Sequence, residues 1–165
     1  MSASRKGVSS RWALLSLAVF VLAASPAVPQ SLTRPAPPRL EPVAETQLLM
    51  QGLNDTNLLA LSQRLIQRKP ATVKEWTTAR GMALLIAESG NLLMLRPPRN
   101  QGQDTWLERC RDMRDAATSL ARYAANQDYA RCRVGLRELA GTCNRCHQAF
   151  RVNVQVGLEG DTPDR

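Results

Sequence analysis

Four cysteines and a single histidine are the most chemically specific residues of this 165-residue chain, and three of the five stand together. Cys143-Asn144-Arg145-Cys146-His147 sets two thiols three positions apart, with an imidazole directly after the second. Thiols at this spacing can add to the two vinyl groups of a haem, and the neighbouring imidazole then reaches the iron from the same side. C-x-x-C-H is the pattern of c-type haem attachment. For a chain of this composition, the chance expectation of the pattern is about 6 in 10,000. It predicts one covalent haem c, held by Cys143 and Cys146, with His147 on the metal. A zinc site needs about four ligands, which one histidine and one C-x-x-C do not supply. A thioredoxin-like pair would open a helix after a strand, whereas this one falls late in an expected helix. A plain Cys143–Cys146 disulfide is the remaining alternative.

The elements that must position these residues read as helices. Leu, Ala, Arg and Gln dominate, while aromatics make up only 4%, which disfavours a β-sandwich or barrel. A first helical segment runs from Ala44 to Arg68, with Leu49 or Met50, Leu53, Leu58, Leu61 and Leu65 inward, and Pro70 stops it. The second opens on a capping box, Thr72 with Glu75, and carries Val73, Trp76, Ala79, Ala83, Ile86, Gly90 and Leu93 on one stripe. Asp104 is placed to cap the third, with Trp106, Cys110, Met113, Ala117, Leu120 and Ala124 inward. Asp128 is placed to cap the fourth, whose stripe runs Tyr129, Cys132, Leu136, Leu139, Cys143, Cys146 and Phe150. Each stripe has the period of a buried helix face, and the connections are short. The expected fold is all-α, an up-down-up-down antiparallel four-helix bundle over residues 44–152 with the haem motif on the last helix.

Outside the bundle, the N-terminus has the layout of a secretory signal. Arg5, Lys6 and Arg11 precede an uncharged run from Trp12 to Ala24, and Ser25-Pro26-Ala27 offers small residues for cleavage. The run is short for a membrane anchor, which takes about 20 apolar residues. Residues 1–27 are thus expected to be cleaved and the protein exported, to the periplasm or its equivalent; a membrane tether follows only if cleavage fails. Residues 28–43 hold five prolines and read as an extended linker, and residues 153–165 as a flexible tail. Removing three cationic residues and no acidic ones lowers the net charge from +8 to +5. With the basic residues interspersed among acidic ones, this is not the clustered footprint of a nucleic-acid binder.

A C-x-x-C-H on the last helix of a four-helix bundle, continuing as Gln148-Ala149-Phe150-Arg151, resembles the class II c-type cytochromes: cytochromes c′ and the c-556 group. The last helix of that family reads C-x-x-C-H-x-x-[YF]-R. The resemblance covers residues 44–152 and is specific only in this motif; the Pro-rich linker departs from the family's compact pattern. It implies a haem protein rather than an enzyme, with redox proteins or a second copy of the chain as partners. It also implies that Arg151 borders the proximal face of the haem. Read by itself, Arg151 is a helix-end cation stabilising the macrodipole.

The other side of the iron separates two functions. The chain has no second histidine, so a methionine or an open site remains. His147 lies about 6 Å and Met50 about 9 Å from the same end of an antiparallel bundle, and Met94 and Met113 are also near it, whereas Met82 is about 20 Å away. The c-556 group binds iron through an early methionine in a Leu-Met pair, and Leu49-Met50 fits that layout. His147/Met50 ligation implies single-electron transfer. If Met50 only fills the core, the open site of a cytochrome c′ implies binding of nitric oxide or carbon monoxide. Cys110 and Cys132 differ in expected height by about 18 Å, beyond disulfide reach, and read as small buried hydrophobes.

Overall fold

The computed structural model describes residues 39–100 and 102–158. The expected signal segment lies outside them, as does the Pro-rich linker up to Pro38. Residues 39–43 are exposed and carry no regular structure. Among the described residues all regular structure is helical, and no helix is long and apolar enough to cross a membrane.

The first expected helix is not one regular helix. A short α1 (Thr46–Leu49) passes into a π-helical stretch, Met50–Asp55, then α2 (Thr56–Ser62) and a second π-helical stretch, Gln63–Gln67. Wider i→i+5 turns delay the return of the inward face. Asn54 is therefore buried where Leu53 was expected, and the stripe resumes with Leu58, Leu61 and Leu65.

α3 (Val73–Met94) opens on the expected capping box. The Glu75 N–H donates to Thr72 Oγ1 at 3.2 Å, and the Thr72 N–H donates to Glu75 Oε2 at 3.2 Å. The amides of Ala71 and Thr72 and the Arg68 guanidinium hold the Glu75 carboxyl down at about 2. The stripe is buried except for Val73, which is 70% exposed because the first helical residue precedes the packed turns. α4 (Gln103–Ala125) starts one residue before Asp104, which sits in the first turn instead of capping it. The N-cap is Gly102 at φ 78°, a left-handed conformation that also brings the backbone against Phe150. α5 (Tyr129–Ala149) begins as expected, with Asp128 accepting from the Arg131 N–H at 3.0 Å.

Contacts between neighbouring helices step in opposite senses along the chain. Trp106 donates its indole N–H to the Leu93 carbonyl at 2.7 Å, while Gly90 lies against Cys110 and Arg114. A Cβ at Gly90 would come within 2.9 Å of the Arg114 Cβ, so only glycine lets α3 approach α4 this closely. Likewise Arg96 reaches the Ala44 carbonyl, and Ser89 reaches Asn54. Leu61, Leu65, Ile86, Leu120, Leu136 and Leu139 are fully buried at the centre. Each such side chain contributes about 1.5–3 kcal/mol by leaving water.

Candidate cofactor site

α5 ends by turning back on itself. Arg151 takes φ 56° and the Val152 N–H donates to the His147 carbonyl at 2.8 Å, so the chain reverses beside the last helical turn. From Val152 the chain runs back along α5 without regular structure; residues 153–158 belong to the expected flexible tail, whose remainder, 159–165, lies outside the described residues. The Asn144 side chain grips Val156 twice: Nδ2 donates to its carbonyl at 3.0 Å, and Oδ1 accepts from its N–H at 2.8 Å. Val156 and Leu158 pack against the core. The alternation Val152, Val154, Val156 was the available sign of an extended segment with one apolar face.

A cavity of about 480 Å³ opens between this end of α5, the start of α4 and the irregular segment after α1. Cys143, Cys146 and His147 line it from α5, Met50 and Leu58 from the first segment, and Cys110, Met113 and Trp106 from α4, with Val152, Val154 and Val156 on the returning chain. Its volume lies within the range of cofactor pockets, and most of its lining is apolar, as such pockets require. Trp106 stacks edge-on against Phe150 at 5.2 Å and joins α4 to the end of α5 at its border.

Of the residues expected to act together, Cys143, Cys146, His147 and Met50 all face this one space. Arg151 does not: it is exposed, and its backbone makes the reversal. The arginine in the wall is Arg109, paired with Asp112 at 3.0 Å and with Glu108. Met113 is the second methionine in the wall, while Met94 packs on the core without lining the cavity.

Two polar contacts aim the potential ligands. Val154 contributes a carbonyl 2.9 Å from His147 Nδ1. A carbonyl only accepts, so Nδ1 carries the proton at this contact, and the lone pair of a neutral ring then sits on Nε2. Opposite, Asn54 Nδ2 donates to the Met50 thioether sulfur at 3.0 Å, and Asn54 Oδ1 accepts from the fully buried Ser89 hydroxyl at 2.5 Å. A thioether sulfur has two lone pairs, and this bond uses one. Asn54 stands four residues from Met50 inside an apolar stripe, and a polar residue at that register was the one sign of its role in the sequence.

Burial raises all four thiols. Cys110 is pushed up to about 12, with Cys146 close by as a second cause, and Cys132 and Cys143 to about 11. Cys146 also rises by burial, moderated by Arg109. All four are therefore protonated at neutral pH. Cys110 and Cys132 are both buried in the core, as expected, and Cys110 also forms part of the cavity wall.

Residues 100–151 match the family model described as Cytochrome C', and the matched span contains the whole Cys143–His147 motif. Comparisons with curated proteins and with solved structures give no match. The family match supports a haem c-type cytochrome of class II.

Proposed function

We propose that the chain is an exported monohaem c-type cytochrome that passes single electrons, built as an up-down-up-down four-helix bundle with the haem motif on its last helix. Cys143 and Cys146 would hold the haem by thioethers, and His147 and Met50 would be its axial ligands. One observation carries the reading: a single, mostly apolar cavity gathers both thiols, the only imidazole and a thioether from the opposite wall. When bound, the haem supplies an iron that alternates between ferric and ferrous states. Val154 directs His147 Nε2 and Asn54 directs the Met50 sulfur, so both donors are positioned before any change of charge. Trp106, Phe150 and the three valines give the cavity apolar lining on this side. Redox proteins are the natural partners, and export follows from the N-terminal sequence.

Spectra of the mature protein in both oxidation states test this reading, together with extraction into acidic organic solvent. The expected outcome is haem that stays on the polypeptide, is lost in Cys143→Ala/Cys146→Ala, and is low-spin and six-coordinate. Haem that extracts freely would overturn the attachment. High-spin, five-coordinate iron that binds carbon monoxide would replace electron transfer by gas binding at an open site.

A further inference from the structure

We propose that Val152–Leu158 is a strap that fixes the tautomer and ring orientation of His147, and that Asn144 is the positioning residue anchoring it. The inference rests on the reading of His147 as an iron ligand. Asn144 occupies a variable position of C-x-x-C-H, where thioether formation requires no particular side chain. Here its amide makes a donor and an acceptor bond to one backbone residue, Val156, as a neighbouring strand would. Two residues back along the strap, the Val154 carbonyl meets His147 Nδ1 at 2.9 Å. The helix reversal sets the other end, where Arg151 adopts a φ of 56°, rare outside glycine, and Val152 closes onto the His147 carbonyl. The imidazole thus lies under a segment pinned on both sides of the acceptor it uses.

Two consequences follow for the chemistry of the ring. Donation from Nδ1 leaves Nε2 as the lone-pair nitrogen and restricts rotation about the side chain. It also moves electron density toward Nε2, making a stronger donor that favours the ferric state. The strap would therefore hold the reduction potential lower than an unanchored imidazole would.

The test uses the mature haem-bearing chain in three forms besides the unmutated one: Asn144→Ala, Asn144→Asp, and a chain ending at Val152. Reduction potential is measured alongside solvent exchange of the His147 Nδ1–H proton, followed by NMR of the ferrous protein. Asn144→Ala and the shortened chain should raise the potential and speed exchange about tenfold, the factor that loss of a bond near 1.4 kcal/mol gives. Asn144→Asp keeps an acceptor for the Val156 N–H and should fall between. An anchor serving stability alone would lower the melting temperature and leave potential and exchange unmoved, and that result overturns the proposal. If Asn144→Ala does not fold, the shortened chain decides by the same two measurements. Failure of the underlying reading shows separately, in the unmutated protein, as absence of covalent haem or of histidine ligation, and overturns both.

Discussion

The two walls of the cavity are built differently. α4 and α5 are uninterrupted helices of 23 and 21 residues, and the family match falls on this half of the chain. The facing wall, residues 46–67, alternates short α and π stretches and lies outside that match. On the regular side a local motif places Cys143, Cys146 and His147 within five positions. On the irregular side Met50 lines the same space, its sulfur held by Asn54, which Ser89 holds in turn. Regular helix geometry suits attachment, where spacing along one helix is everything. The place of Met50 opposite them depends on a register that one helix cannot set for another.

Breaking the irregular wall at Met50, the proposed ligand, should have the largest effect. Met50→Ala is expected to convert low-spin iron to high-spin and admit carbon monoxide, with a lower potential, because thioether ligation favours the ferrous state. Asn54→Leu should weaken the same ligation less completely. Absorption spectra and carbon monoxide titration read both, and unchanged spectra in both variants would make the irregular segment mere packing. Next come matched cavities. Leu136 and Leu61 are equally buried, and each change to alanine should cost about 2–5 kcal/mol in denaturant unfolding. Leu61→Ala should be the milder, since an irregular segment collapses more easily onto a void; the reverse order would show the first wall to be as rigid as α5.

Glycines sharpen the contrast further. A Cβ at Gly52 meets nothing within 4 Å, so Gly52→Ala should stabilise by about 0.5–1 kcal/mol. Gly90→Ala should destabilise, because Arg114 and the Cys110 carbonyl stand in the way. The smallest effect belongs to the joint between the irregular segment and α3. Glu75 is held at about 2 against an ordinary 4.5, so its contribution is whole above about pH 4.5 and fades as pH falls toward 2. Glu75→Gln should remove that acid-sensitive part. The melting temperature of the variant should then drop less between pH 5 and pH 3, if about one carboxylate is responsible.

Much of this arrangement was legible because it is local. Periodic apolar residues marked Leu58, Leu61, Leu136 and Leu139 as inward, and short polar side chains marked Thr72 and Asp128 as helix starts. The cap falls two positions before Asp104, because Gly102 takes the left-handed turn without a side-chain acceptor. The resemblance implies Arg151 beside the proximal face; in the structure it is exposed at the chain reversal and is not among the residues lining the cavity.

The sequence by itself determined the C-x-x-C-H arrangement, since Cys143, Cys146 and His147 are set by spacing along one helix. Tertiary structure alone decided which groups meet those residues. Val154 reaches His147 through a chain reversal, Asn54 is drawn inward by a wide turn, and Arg109 and Cys110 enter the wall by the close approach of α4 to α5. The physical reason is range. A helix fixes the relation between residues three and four apart through its own hydrogen bonds, whereas side chains from separate segments meet only where packing, burial and buried polar partners agree.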